Sequence, residues 1–154
     1  MNKPLTKRFL LQRVCVLSLL AIVANGAQAL EYRSTARHGV ILFDAPQDTA
    51  SKRFVLSANM PLEVLSEQAD WLRVRDRDGT LSWIKKSDVS PRRFVQLSRN
   101  SKIFQAANNK SHVLYSAERN VLLELQENTG AGWLKVKHRD GAIGYIRIED
   151  VWGA

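Results

Sequence analysis

Cysteine is almost missing from this 154-residue chain and histidine is scarce: Cys15 is the single thiol, and His38, His112 and His138 are the only imidazoles. Cys15 falls in a stretch that reads as a removable leader. The remaining chain would then have no disulfide, no thiolate nucleophile and no thiolate metal ligand. Nor does Cys15 suit lipid attachment, since Gln12, Arg13 and Val14 precede it and the apolar run follows it. The three histidines lack the close spacing of a zinc site. His38 stands beside Gly39 in a loop, His112 lies in a polar run, and His138 sits in a turn whose earlier counterpart is Asp76. Serine, histidine and aspartate make no triad by mere presence. The sequence thus offers no catalytic residue, metal site or cofactor, and a non-enzyme is expected. The apolar run over 14–24 (VCVLSLLAIVA) has 11 residues, short of the roughly 20 that a transmembrane helix needs.

That run completes a secretory pattern. Lys3, Lys7, Arg8 and Arg13 form a basic start, and Ala27-Gln28-Ala29 supplies a small-x-small cleavage site, so residues 1–29 read as a signal peptide. Export to the periplasm follows as the expected localisation, with no stable membrane insertion after cleavage. Cleavage would take four of the 23 basic residues and none of the 15 acidic ones, leaving a net charge of +4 rather than +8. The remaining cations are interspersed. Arg73, Arg75 and Arg77 alternate along one segment, as do Lys135, Lys137 and Arg139. This is the pattern of a solvated strand face, not the clustered stripe of a nucleic-acid binder.

What the chain does contain is a repetition. Residues 71–89, WLRVRDRDGTLSWIKKSDV, return 62 positions later as residues 133–151, WLKVKHRDGAIGYIRIEDV, with nine of 19 positions identical. The earlier part of each copy aligns at a shift of 61: Leu42-Phe43 with Ile103-Phe104, and Leu62 and Val64 with Leu123 and Leu125. The extra residue falls in the turn over 126–132, where an all-β unit tolerates insertion. The period-two pattern of Leu72 and Val74 predicts a half-buried strand. Asp78-Gly79 and Asp140-Gly141 predict hairpin turns, and residues 85–89 a 3₁₀ turn ending on a buried valine. Trp83 and Tyr145 are assigned to the hairpin core. No helical period intervenes. An all-β chain is expected, with two small barrels of about five strands each over 30–90 and 91–154. Residues 90–93 are too short for a free linker, so the barrels should pack together. Trp152, which has no counterpart after Val89, is placed at that interface or at a barrel end.

The combination of Asp44-Ala45-Pro46, Pro61-Leu62-Glu63-Val64-Leu65, Trp71-Leu72-Arg73-Val74-Arg75, Asp78-Gly79 and Trp83-Ile84 resembles a bacterial SH3-like (SH3b-type) domain. The second copy keeps Leu123 to Leu125, Trp133 to Lys137, Asp140-Gly141 and Tyr145-Ile146 but lacks the opening proline. The resemblance implies a partly open barrel of five to six strands. Such barrels host many activities, so it says less about function. Eukaryotic relatives bind proline-rich peptides with an aromatic groove. Asp70-Trp71 matches part of that groove, but neither residues 85–89 nor residues 147–151 supply its proline and tyrosine. Bacterial relatives are associated with cell-wall peptides or protein partners.

In a regular strand Trp71 and Trp133 point away from the Leu-x-Val face. Beside arginine or lysine they can stack on a ligand or anchor a partner; alternatively each caps its barrel beneath the preceding loop. Trp71, Trp133, Asp70 and Arg73 are therefore the candidate ligand-binding residues. The expected function is a non-catalytic exported binding or adaptor module of the cell envelope, recognising a cell-wall peptide or an extended segment of an envelope protein. The alternatives are a structural accessory subunit of an envelope complex and a regulator of a separately encoded wall hydrolase.

Overall fold

The computed structural model describes residues 30–154; the expected leader over 1–29, with Cys15, lies outside the described residues. β1 (Glu31–Thr35), β2 (Val40–Phe43), β3 (Lys52–Leu56), β4 (Pro61–Gln68), β5 (Trp71–Arg75), β6 (Leu81–Lys85) and β7 (Val89–Ser90) form one antiparallel sheet in the order β3-β2-β6-β5-β4-β1-β7. β8 (Phe94–Leu97), β9 (Ser101–Phe104), β10 (Val113–Ala117), β11 (Leu122–Asn128), β12 (Trp133–Lys137), β13 (Ile143–Arg147) and β14 (Val151–Trp152) retrace that path as β10-β9-β13-β12-β11-β8-β14. A 3₁₀ turn precedes the last strand of each sheet, over Lys86–Asp88 and Ile148–Asp150.

Each sheet is its own enclosure. Val40, Val74 and Ile84 in the first, and Val95, Ile103 and Val136 in the second, are 0% exposed although no second layer covers them among the described residues. A single sheet hides one face in this way only by curling upon itself. Bulges between Val64 and Ser66 and between Leu125 and Glu127 bend the long strands at matching places. The turns repeat as well: Asn59 and Asn120, 61 residues apart, take left-handed φ values of 68° and 75°, a conformation that asparagine tolerates better than most residues.

The sheets have seven strands each where about five were expected. The lead-in is itself a strand, because β1 pairs with β4 through Tyr32 and Glu63, and a two-residue strand after each 3₁₀ turn returns to β1 or β8. Val89 packs against the first core but is half-buried rather than buried.

The copies meet through short-range contacts. The Phe94 N–H donates to the buried Ser34 Oγ at 3.0 Å, and Arg93 Nη2 donates to the Gly153 carbonyl at 3.0 Å. The Trp152 ring stands edge-on to Tyr32 at 5.3 Å, with the Arg93 guanidinium 5.7 Å from the Tyr32 ring centre. Gly153 lies so close to Pro61 that a Cβ there would stand 2.7 Å from the proline Cβ, and its φ is +104°. Trp152, which has no counterpart in the first copy, thus packs between the copies.

Candidate functional site

Antiparallel register sorts side chains into rows on the outer face, because directly opposed residues point the same way. In the first copy one row runs Tyr32, Glu63, Arg75, Leu81, and the next runs Ser66, Arg73, Trp83, Phe43. In the second copy the matching rows are Phe94, Glu124, Lys137, Ile143 and Glu127, Lys135, Tyr145, Phe104. Trp83 and Tyr145 are thereby on the outer face and half-exposed, not in the hairpin core where they were expected. The D-G turns could have shown this, since they set Arg73 opposite Trp83 and Lys135 opposite Tyr145.

Trp71 and Trp133 are on that face but are not open to solvent. They are 8% and 5% exposed. Phe43 meets Trp71 edge-on at 5.2 Å, and Phe104 meets Trp133 at 5.5 Å. A cation covers each indole: Lys85 Nζ is 5.6 Å from the Trp71 ring centre and the Arg147 guanidinium 4.5 Å from that of Trp133. The attraction is that of a positive charge for the negative ring face. A loop residue then holds each cation: Asp48 pairs with Lys85, and Arg147 Nε donates to Asn109 Oδ1 at 3.3 Å. Of the two placements open to these tryptophans, an exposed anchor or a barrel cap, the cap is the one found. Both rings cap the barrel, beneath a cation from the neighbouring strand.

Asp70 and Arg73 are exposed, and no hydrogen bond or ion pair joins them among the described residues. The Asp70 carbonyl accepts from the Lys86 N–H at 2.8 Å and so anchors the 3₁₀ turn. Arg73 belongs with Trp83 instead. The surface next to the second cap is a groove of about 510 Å³ lined by Phe104, Asn109, Arg147, Lys102, Arg99 and Asp150, among others.

The sequence reading overlooked a buried carboxylate. Glu63 is 3% exposed, and Arg75 holds both of its oxygens, through Nε at 2.9 Å and Nη2 at 3.0 Å. Burial, reinforced by Glu63, raises the pKa of Tyr32 above the ordinary tyrosine value, while burial of Arg93 lowers its own. In the second copy Glu124 is bound instead by Arg92, at 2.9 Å, from the segment between the sheets. Between the copies lies a cleft of about 750 Å³, bounded by His38 and the 57–59 turn on one side and by Phe94, Leu122, Lys137 and Arg139 on the other. Among the described residues, no cluster of three or more histidine, cysteine or acidic side chains is placed to hold a metal.

No curated protein sequence matches the chain. Among solved structures it is similar to NlpC2 from Trichomonas vaginalis, at 15% identity and a TM-score of 0.38, over 82% of this chain and 49% of that one. NlpC1 from the same organism gives 15% and 0.38, over 85% and 48%. An NlpC/P60 family protein from Bacillus cereus gives 12% and 0.36, over 79% and 56%. The chain therefore spans about half the length of these structures. The family model described as the bacterial SH3 domain matches residues 36–91 and again residues 98–153. Two such matches, one on each sheet, cover most of the chain, which belongs to the bacterial SH3 domain family.

Proposed function

We propose that the chain is a non-catalytic binding module of the cell envelope, exported to the periplasm, which holds a cell-wall peptide or an extended segment of an envelope protein. The observation that carries this reading is the repeated outer row, in which a half-exposed aromatic lies between a cation and a phenylalanine: Arg73, Trp83, Phe43 and Lys135, Tyr145, Phe104, with Phe43 buried and Phe104 half-buried. An amphipathic ring beside a flexible cation offers apolar area and a charge-assisted hydrogen bond to the same ligand. The buried Trp71 and Trp133 stiffen the floor beneath; Arg73 makes direct contact, and Asp70 shapes the rim. Family membership supports a binding role, and the signal-like start supports export.

Co-sedimentation of the protein, purified as the cell makes it, with cell-wall sacculi tests the proposal. Saturable binding should persist at moderate salt and weaken about tenfold or more when Trp83→Ala and Tyr145→Ala are combined, as for loss of an aromatic anchor. Binding that disappears with salt would reflect only a basic chain adhering to an acidic polymer. No binding, together with a stable partner recovered from the envelope, would leave a structural accessory subunit as the better reading.

A further inference from the structure

One row is capped by an aromatic ring in the first copy and borders a cleft in the second. In the first, Tyr32 is covered by Trp152 and Arg93, and Glu63 takes both hydrogen bonds of Arg75. The equivalent row in the second copy is Phe94, Glu124, Lys137. Among the described residues no aromatic ring stands against Phe94 as Trp152 stands against Tyr32; the Arg92 guanidinium lies 5.3 Å from its ring centre, and the row forms a wall of the cleft between the copies. Its charges are redistributed. Glu124, the only carboxylate lining the cleft among the described residues, is bound through Oε1 by Arg92 Nε at 3.1 Å and Nη2 at 2.9 Å. This leaves Lys137 and Arg139 without an ion-pair partner among the described residues. At the rim Arg77 reaches across from the first copy to Asn120 Oδ1 at 2.6 Å. Two cations without an ion-pair partner, Lys137 half-buried and Arg139 exposed, therefore line a partly open cleft whose floor is apolar, made by Phe94, Val121 and Leu122.

We infer that this inter-copy cleft is a second binding site, distinct from the outer aromatic rows, and that it takes an extended peptide bearing carboxylates spaced by apolar side chains. The apolar groups lie against the half-buried Val121 and Leu122, and the carboxylates pair with Lys137 and Arg139. Partial enclosure by the 57–59 turn strengthens such pairs relative to open surface. Both copies are required, because the first supplies one wall and the second the charges.

The test is an amide chemical-shift titration of the protein, purified as the cell makes it, with an acetylated hexapeptide alternating glutamate and leucine. Saturable shifts should concentrate at Asn59, Phe94, Asn120, Leu122, Lys137 and Arg139. The dissociation constant should rise about tenfold, or about 1.4 kcal/mol, for the glutamine–leucine peptide and for Lys137→Gln combined with Arg139→Gln. Ala58→Trp, which fills the cleft without changing its charge, should have a similar effect, and the amide spectrum reports whether each variant keeps the fold. Shifts centred on Arg73 and Trp83, affinity unchanged in both variants, or no saturable shift would overturn the cleft site. A peptide seated in the cleft with no binding to sacculi would leave this inference standing and remove the outer-row reading alone.

Discussion

The same arrangement around tryptophan is held by an ion pair in one copy and by a hydrogen bond to a neutral amide in the other. Asp48 and Asn109 stand 61 positions apart, and Lys85 and Arg147 stand 62 apart. Each pair fastens a cation over an indole, Trp71 or Trp133. Arginine stacks flat on a ring and needs less help from its partner than lysine does. The opposite divergence occurs one row away. There the first copy buries Glu63 beneath a partly exposed Arg75, whereas the second leaves Glu124 to an arginine of the connecting segment. A duplicated fold therefore keeps most of its core pattern and changes the polar partners above it. The first copy has become a support for the second at the row where they meet, while the second leaves Lys137 and Arg139 without an ion-pair partner among the described residues.

The sharpest way to break this comparison is at the buried carboxylate. Arg75→Met leaves Glu63 buried without its partner and should cost about 3 kcal/mol, the penalty typical of an orphaned buried charge. Lys137→Met, at the same row of the second copy, should cost less than about 1 kcal/mol, because Arg92 still holds the more exposed Glu124. Denaturant unfolding of the two variants gives the difference directly. Equal losses would mean that the two rows are energetically alike despite their different partners.

A second contrast lies in the core. Ser82 and Gly144 are equivalent, but a Cβ at Gly144 would stand 2.5 Å from Ile103 Cγ2 and 2.9 Å from the Phe104 carbonyl. Gly144→Ser should therefore destabilise by about 2 kcal/mol, as overpacking commonly does. Ser82→Ala should be close to neutral, since the Ser82 Oγ is buried without a hydrogen-bond partner and removing such a hydroxyl relieves desolvation. Thermal unfolding of both variants checks the pair. If Gly144→Ser were tolerated, β9 and β13 would not be packed as closely as the backbone shows.

These contrasts mark where the sequence is legible. The repeat shift, the D-G hairpins and the Leu-x-Val strands are local, and each recurs in the fold: Leu72 and Val74 lie in the first core, Leu134 and Val136 in the second. The candidate site was less accessible to sequence because its members come from distant strands. Whether Trp71 is open depends on Phe43 and on Lys85, and the alternation of residues 71–75 contains neither. Arg73 finds Trp83 only through hairpin register. Glu63 looks like an ordinary polar residue on a half-buried strand until Arg75 and Tyr32 close over it. Strands β1 and β7 escaped notice because their hydrogen-bond partners lie far away in the chain and their own sequences are short or irregular.

The smallest expected difference concerns alkaline stability, where the copies carry their tyrosines at different positions. Tyr32 stands where the second copy has Phe94, and Tyr115 stands where the first has Phe54. Both hydroxyls have a raised pKa, chiefly through burial and then through a neighbouring carboxylate, Glu63 for Tyr32 and Asp140 for Tyr115. A raised folded-state pKa means that above about pH 10 the unfolded chain loses these protons while the folded chain still holds them. Unfolding then releases protons, so stability falls as pH rises. The contribution is complete below the ordinary tyrosine pKa and is lost as pH climbs through the higher folded values. Tyr32→Phe and Tyr115→Phe, each of which gives one copy the other's residue, should make the melting temperature less dependent on pH in that alkaline window while leaving its slope near neutrality unaltered. If neither variant flattens the alkaline slope, the loss of stability there belongs to the lysines and arginines of the outer rows, and the buried tyrosines are energetically equivalent to the phenylalanines that replace them in the sister copy.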